Sequence, residues 1–319
     1  MAKCVDAPEV GSPSSWELVV EIEAFPINPA DLAMLHGNYG WLAKPPSSIG
    51  MEAVGRIVEQ GKSVNNFKTG DRVVILANNN WAQRRKVPAT LAVKIPESVD
   101  PLQAAMLKVN PLTALKLLQQ SDQLSPGEFV VQNAPLSNVG RYVLQIAKQL
   151  GLKTLNLVRD ESQLETVQQL GGDVAVLDND EVVASITELT GGIPVRLALD
   201  GVAGHATNRI AKCLVEGGSI VNFGMLSNEP CLLSPEHTIF RNIQLTGFWL
   251  TKVLNKLSST ARTEAITQLA NWAAEGKIHG EIDSTFSIEQ IGSAIRRSEQ
   301  RGRNGKVIVL PNGELKTGS

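Results

Sequence analysis

Cysteine is scarce in this chain of 319 residues: there are three, Cys4, Cys213 and Cys231, too scattered for a disulfide framework and without a CxxC pair. The four histidines, His36, His205, His237 and His279, include no HxxxH pair, so spacing offers no metal site. Cys213 lies in an apolar helical stretch and reads as core rather than nucleophile. No apolar run approaches the ~20 residues of a transmembrane helix. The start, MAKCVDAPEVGSPSSW, lacks both a basic and apolar signal pattern and an Arg-rich transit segment, so a soluble, cytosolic protein is expected. Neither sign of charge dominates: 30 basic residues face 32 acidic ones, for a formal net charge of −2. That balance excludes nucleic acid and an anionic membrane as the expected partner and fits small neutral or anionic metabolites better.

What is present supports sizeable cores, since 43% of residues are hydrophobic and the length suits two domains or one large one. The most informative stretch is Glu128–Glu161. Phe129–Gln132 is a short apolar run, Asn133–Val139 a loop of small and polar residues. From Gly140 onward, Val143, Leu144, Ile146, Ala147 and Leu150 recur at helical spacing. Gly151 closes the helix, and Thr154–Val158 forms a second strand ending on Arg159. This is a βαβ unit with a loop at a helix N-terminus, where backbone N–H groups and the helix dipole can hold a pyrophosphate. The usual glycine fingerprint is incomplete, because Ala134, Ser137 and Gly140 occupy its three positions. The loop alone therefore also fits a crossover with no ligand. Arg159 lies about 20 residues past Gly140, where Asp or Glu would read an NAD ribose and Arg suits the 2′-phosphate of NADP. Its alternative is a solvated arginine paired with Asp160 and Glu161.

Along the chain, the first hundred residues read as strands and turns. Glu17–Ala24 alternates with period two, and Val54–Gln60 and Arg72–Ala77 are apolar runs. A helix is expected over Pro29–Leu35, with Asn28 before it and a proline at its first position. It leads into the glycine-rich and aromatic loop His36–Pro46, HGNYGWLAKPP. Helices are expected over Pro101–Lys108 and Leu112–Gln120. After the βαβ unit come helix Ser162–Leu170, strand Val174–Leu177, helix Val182–Leu189 and strand Arg196–Asp200. Helix Ala206–Val215 and strands Ser219–Phe223 and Gln244–Phe248 follow. Six strands with intervening helices describe an α/β, doubly wound parallel sheet of the Rossmann kind. The tail, with helix Arg262–Glu275, strand Ser284–Ile288, helix Glu289–Arg297 and strand Lys306–Leu310, is expected to pack back on the N-terminal part. The expected domains are 1–108 and 255–319 together, and 109–254 for the dinucleotide.

With that organisation in place, the sequence resembles the medium-chain dehydrogenase/reductases over nearly its whole length. Gly55–Val73, GRIVEQGKSVNNFKTGDRV, is similar to the family's G-x-V-x-x-x-G-x-x-V-x-x-x-x-x-G-D-x-V pattern. Ile27–Gly40, Val109–Leu118, Leu155–Asp160 and Leu245–Leu250 resemble segments of the trans-2-enoyl thioester reductases, the enoyl-CoA or enoyl-acyl-carrier-protein reductases. The resemblance implies a GroES-like, mainly β catalytic domain beside the Rossmann domain. The zinc alcohol dehydrogenases of the same superfamily place a zinc Cys near Asn28 and a zinc His at Met51, so the resemblance implies no metal. Two departures stand out: Asn138 occupies a usual glycine position, and the segment before ELVVEI is shorter than the family's N-terminal strand and hairpin.

The activity implied is NADPH-dependent reduction of an enoyl thioester, with hydride added at the β-carbon and a proton at the α-carbon. In the enoyl reductases a loop tyrosine holds the developing enolate and supplies the proton, and Tyr39 in HGNYG matches it. A phenol is a protonated donor at neutral pH and suits that work. As a loop aromatic alone, Tyr39 would read as a packing anchor, but the chain has only two tyrosines and the other, Tyr142, lies in the βαβ helix. Its flanking glycines suit close approach of backbone to a ligand. By the same resemblance Asn110 sits near the nicotinamide ribose or substrate carbonyl, with a helix cap as its alternative. Leu136, Ser137, Asn138 and Val139 contact the pyrophosphate, and Arg159 and Asp160 face the adenosine ribose. Phe223, Gly224, Met225, Phe248, Trp249 and Leu250 border the nicotinamide, Trp249 packs near the reacting atoms or in the core, and Lys306 reaches the cofactor unless it merely opens a surface strand. The partners implied are an enoyl thioester, an acyl carrier protein as its alternative carrier, and a second copy in a homodimer. Two rivals remain: an NADPH:quinone oxidoreductase, which generally lacks the GNYG and GFW segments, and a non-catalytic NADPH-binding protein.

Overall fold

The computed structural model describes residues 3–42, 44, 46–120, 124–179, 181, 185–300 and 302–315. Two compact units emerge, Met1–Leu112 with Leu257–Ser319, and Thr113–Lys256.

The first unit is built on strands β1 (Glu17–Pro26), β2 (Ala53–Gln60), β3 (Arg72–Ile75), β4 (Arg84–Pro88) and β5 (Ala92–Lys94). The second contributes β6 (Phe129–Asn133), β7 (Lys153–Val158), β8 (Val174–Leu177), β9 (Val195–Asp200), β10 (Ser219–Asn222) and β11 (Gln244–Gly247). The chain then returns to the first for β12 (Ile282–Ser287) and β13 (Lys306–Leu310). In the first unit the order is β12-β13-β1-β2-β3-β5, with β4 also on β1, and every pairing is antiparallel except β12 with β13. The period-two pattern of β1 explains its role: Leu18, Val20 and Ile22 are buried in the core with Ile57, Val73, Ile75 and Val307.

In the second unit the strands run parallel in the order β11-β10-β9-β6-β7-β8. The chain steps one way from β6 to β8 and then restarts at β9 on the other side, which puts the switch point between β6 and β9. Burial on both faces explains why β6 and β9 carry the apolar runs Phe129–Val131 and Leu197–Leu199 rather than alternation. Gly140 is required by packing: a Cβ there would lie 2.5 Å from the Ala134 carbonyl oxygen.

Several elements differ from expectation in extent. The helix expected over Pro101–Lys108 spans only Pro101–Ala104, capped by Asp100, which accepts from the backbone N–H groups of Leu102 and Gln103 at 2.9 and 3.1 Å. A new helix starts at Asn110 because Pro111 suits a first turn and not an interior one. The helix expected over Arg262–Glu275 begins earlier, at Ser259, with Ser258 as its cap. The helix near the C-terminus runs Ile291–Glu299, preceded by a single 3₁₀ turn. Of the helix expected over Val182–Leu189, residues 182–184 lie outside the described residues, and the described part is Ile186–Leu189. No helix among the described residues is long and apolar enough to cross a membrane.

Candidate active site

In the second unit the site lies at the carboxyl ends of the strands. Ser137 opens the helix Asn138–Gln149, its hydroxyl oxygen accepting the Gly140 N–H at 3.1 Å. Ser137, Asn138 and Val139 thus form the N-terminal edge of a 12-residue helix, while the Leu136 side chain packs toward Leu144, Val158 and Val167. Asn138 is helical; the left-handed residue of this turn is Ala134, with φ of 53°. The strain a glycine would relieve is therefore carried by an alanine at the first fingerprint position.

Arg159 follows β7 and is exposed, and among the described residues it makes no ion pair with Asp160 or Glu161. Asp160 is engaged elsewhere. Its carboxylate accepts from the Ser162 hydroxyl at 2.7 Å and backbone N–H at 2.9 Å, which holds it below the ordinary carboxylate range.

Asp200, at the end of β9, is fully buried and organises the switch point. Its Oδ1 accepts from the Asn133 amide at 2.7 Å and from the N–H groups of Val202 and Ala203 at 3.0 and 2.9 Å. Its Oδ2 accepts from the Thr207 hydroxyl at 2.7 Å and the Asn222 amide at 3.3 Å. The two strand ends on either side of the switch point and the end of β10 are tied to one carboxylate. The backbones after β9 and β10 touch: a Cβ on Gly224 would lie 2.6 Å from the Gly201 carbonyl oxygen. Phe223, Gly224, Met225, Phe248 and Trp249 line a cavity of about 470 Å³, with Lys252 placed 5.5 Å from the Trp249 ring centroid. Leu250 starts the helix behind it. A helix N-terminus at the strand ends, an exposed arginine at the second strand end and this cavity suit a phosphorylated dinucleotide. Cys213 is core, as expected, and burial pushes its thiol up to about 12.

In the first unit Tyr39 follows the helix Pro29–Leu35. The turn is made by Gly37 at φ 75°, with open space around its missing Cβ, so that glycine serves conformation rather than close approach. Tyr39 is partly buried against Met34, Ile49 and Met51, and its ring meets Trp41 edge-on at 6.3 Å between centroids.

Behind that apolar group lies a buried polar cluster centred on Asn28. The Asn28 amide donates to Glu52 Oε1 at 2.8 Å, and its amide oxygen accepts from the Lys306 ammonium and, at 3.5 Å, from the Asn110 amide. Glu52 Oε2 accepts the Val109 N–H at 2.7 Å. Asp31 accepts the Asn28 N–H at 2.8 Å and the Met51 N–H at 2.9 Å. Lys108 donates to the Met51 carbonyl, to the Ala77 carbonyl at 3.1 Å and to Asn78 Oδ1 at 3.0 Å. Two carboxylates and two ammoniums are thus sealed together. Burial raises the Glu52 carboxyl and lowers both amines to about 8. Lys306 is 1% exposed, which corrects its reading as the first residue of a surface strand. Asn110 is not a cap but the first helical residue, turned onto Asn28.

Sequence reasoning missed Asp31, Lys108 and Asp200. A signal existed for two of them: Lys108 is a lone lysine in an apolar run, and Asp200 ends one.

Two family models match the chain: the alcohol dehydrogenase GroES-like domain over residues 14–97 and the zinc-binding dehydrogenase over residues 138–271. The mitochondrial enoyl-[acyl-carrier-protein] reductase of Mus musculus is 34% identical over 298 residues, covering 91% of this chain and 80% of that protein. Among solved structures, a mutant enoyl thioester reductase of Candida tropicalis aligns with a TM-score of 0.85 at 23% identity, covering 96% of this chain and 93% of that one. A putative NADPH:quinone reductase of Bacillus thuringiensis aligns with a TM-score of 0.87 at 24% identity, covering 95% and 92%. The chain belongs to the medium-chain dehydrogenase/reductases and, within them, to the family of the enoyl-[acyl-carrier-protein] reductases. Its class is that of oxidoreductases acting on CH–CH bonds. The relatives from rat, mouse, Xenopus tropicalis and human are all named as mitochondrial, which overturns the cytosolic expectation.

The zinc in the second model's description does not fit the residues at Asn28. Both Glu52 oxygens are taken by N–H donors, the Asn28 oxygen is turned to an ammonium, and Met51 offers only a thioether.

The cluster predicts a pH dependence. Burial raises the Asp31 carboxyl from 3.8 to about 7, against the opposing pull of the Asn28 N–H. A raised acid stabilises the fold while protonated, so its contribution is complete below about pH 4 and is lost as pH rises through about 7. The melting temperature of wild type minus that of Asp31→Asn is expected to fall steadily between about pH 4.5 and pH 7.5. A difference that stays flat over that range in a thermal scan would mean that Asp31 is held ionised.

Proposed function

We propose that the protein uses NADPH to reduce the C=C bond of trans-2-enoyl thioesters carried on coenzyme A or on an acyl carrier protein. The observation that carries this reading is Tyr39. It sits on a loop held between the Met34, Ile49 and Met51 group and Trp41, in a chain 34% identical over 298 residues to an enoyl-[acyl-carrier-protein] reductase.

The bound nicotinamide supplies the hydride that ends on the β-carbon. The remaining tasks fall to the chain's own residues. The Tyr39 hydroxyl donates a hydrogen bond to the thioester carbonyl oxygen, where negative charge develops, and its proton serves the α-carbon. Asn110 orients the nicotinamide ribose or that carbonyl. Backbone N–H groups of Asn138 and Val139, with the Ser137 side chain beside them, receive the pyrophosphate at the helix N-terminus, where the dipole favours an anion. Arg159 takes the 2′-phosphate in a charge-assisted pair. Phe223, Gly224, Met225, Phe248, Trp249 and Leu250 shield the nicotinamide from water.

The second copy of the homodimer docks on β11. That strand is the sheet edge and all four of its residues are exposed, with Leu245 at 37%. Nearby in sequence, Ile239 and Phe240 are 68% and 77% exposed. An open edge beside large apolar side chains is a template for strand pairing.

Tyr39→Phe is expected to lower kcat for crotonyl-CoA by about 10²–10³-fold, the cost of one oxyanion donor. Undiminished turnover would sink the role of Tyr39, and rapid quinone reduction beside slow crotonyl-CoA reduction by the wild type would replace the enoyl reading. Arg159→Glu is expected to cost about 10–100-fold in kcat/KM for NADPH while leaving NADH little changed, as loss of a hydrogen bond to a charged group implies. Equal losses for both cofactors would refute the phosphate contact. Light scattering should give a dimer mass for the wild type and a monomer for Phe240→Asp; an unchanged mass in the variant would exclude this edge.

A further inference from the structure

Four cations and no carboxylate occupy residues 237–263, namely Arg241, Lys252, Lys256 and Arg262, in a chain whose formal net charge is −2. Arg241 is committed to the fold: it donates to the Ala211 and Leu214 carbonyls and to His237 Nδ1. Lys252 and Lys256 are not. Both are exposed, and both line the cavity of about 470 Å³ bordered by Phe223, Gly224, Met225 and Trp249. Among the described residues neither forms an ion pair, and none of those lining the cavity is acidic.

The helix Leu250–Lys256 does not account for the pair. Four positions apart, the two lysines share a helix face, where like charges repel. The helix dipole favours a cation in the last turn, which serves Lys256, but opposes one in the first turn, where Lys252 stands. Lys252 is nonetheless held, with its ammonium 5.5 Å from the Trp249 ring centroid. Two mutually repelling ammoniums at one cavity rim, with no protein anion between them, define a place for an anion from outside.

The cofactor does not bring that anion. On the enoyl reductase reading its phosphates are received at the N-terminus of the helix Asn138–Gln149 and at Arg159, and a reduced nicotinamide ring carries no charge. A thioester that reaches this ring trails its carrier out past the rim, and the carrier is phosphorylated.

We propose that Lys252 and Lys256 are a phosphate-binding pair that recognises the carrier of the substrate. The phosphate is either the one on the pantetheine arm, which coenzyme A and an acyl carrier protein share, or the 3′-phosphate of coenzyme A. The proposal rests on the enoyl thioester reading for the identity of the anion. The pair binds the carrier and takes no part in hydride or proton transfer. Lysine suits the task, because a point charge with three donors on a flexible stem can follow a phosphate whose position differs between carriers.

The test uses the full chain as Lys256→Gln, which leaves the Lys252 contact with Trp249 in place, and as Lys252→Gln with Lys256→Gln. With NADPH present, kcat and KM are measured for crotonyl-CoA, for 3′-dephospho-crotonyl-CoA and for crotonyl-N-acetylcysteamine, a thioester without phosphate. NADPH affinity by fluorescence titration and thermal unfolding accompany them. The double variant is expected to raise KM for crotonyl-CoA about 10-fold, as loss of hydrogen bonds to a charged group implies, with kcat changing far less. Lys256→Gln should take a smaller step the same way, and KM for the N-acetylcysteamine thioester should hardly move. Salt should raise the wild-type KM for crotonyl-CoA and erase its lead over the double variant, since exposed charges are screened. A rise that persists with the dephospho substrate assigns the pair to the pantetheine phosphate, and one that vanishes there assigns it to the 3′-phosphate. Equal rises for crotonyl-CoA and the phosphate-free thioester overturn the proposal in favour of packing beside Trp249. Unchanged KM for both overturns it in favour of solvated lysines, and a fall in NADPH affinity as large as the rise in KM overturns it in favour of a cofactor contact. A wild type that turns over quinone but no enoyl thioester defeats the substrate reading alone. Binding of coenzyme A to the NADP⁺-loaded chain by calorimetry then decides the pair, which stands if the double variant binds more weakly and falls if the two bind alike.

Discussion

Two carboxylates and two ammoniums share one dry volume around Asn28, and the first unit is arranged to make that tolerable. Ions taken out of water lose several kcal/mol of solvation each, and their mutual attraction repays this only when remaining lone pairs and protons are matched. The matching draws on segments far apart in the chain: the start of the first helix, the turn at Met51 and Glu52, the Ala77–Asn78 turn, the run Lys108–Asn110 and the first residue of β13. Such a cluster buys specificity of conformation more than stability. A chain that misplaced any one of these segments would leave a charge stranded, so the folded arrangement is separated from its neighbours by a steep penalty.

The second unit solves its own placement problem with a single acid. Asp200 accepts five hydrogen bonds, two from main-chain N–H groups just beyond β9 and three from side chains on β6, β10 and the helix His205–Lys212. Loops at the carboxyl ends of parallel strands have no ladder to hold them, and a ligand site there needs another source of rigidity. The left-handed Ala203, at φ 66°, is affordable because its N–H is fixed by that carboxylate.

Much of this architecture was legible in the residues because the relevant physics is local. Continuous apolar runs bounded by turns marked β6 to β11, Gly140 stood at the last fingerprint position of the turn, and Arg159 stood at the strand end where a phosphate reader belongs. What was not legible depended on burial. Asp31 lies inside the expected helix Pro29–Leu35 and Lys108 at the end of the expected helix Pro101–Lys108, and only the closing of the fold buries them in one cluster. Lys306 is the sharpest case, since a lysine opening a strand usually faces solvent, and its neighbour Asn28 is 278 positions away. The pyrophosphate turn shows the converse: Asn138 drew attention as a replaced glycine, yet the strained residue is Ala134, which no composition rule singles out.

The absence of side chains at Gly201 and Gly224 has a mechanical meaning. With the main chains after β9 and β10 in direct contact, neither can travel toward or away from a ligand without displacing the other, and Asn222 ties both to Asp200. The two stretches are coupled like the arms of one lever, so a displacement of one is carried to the other. A bulkier residue at either glycine would act as a wedge, prising the lever off its fulcrum rather than merely narrowing the cavity.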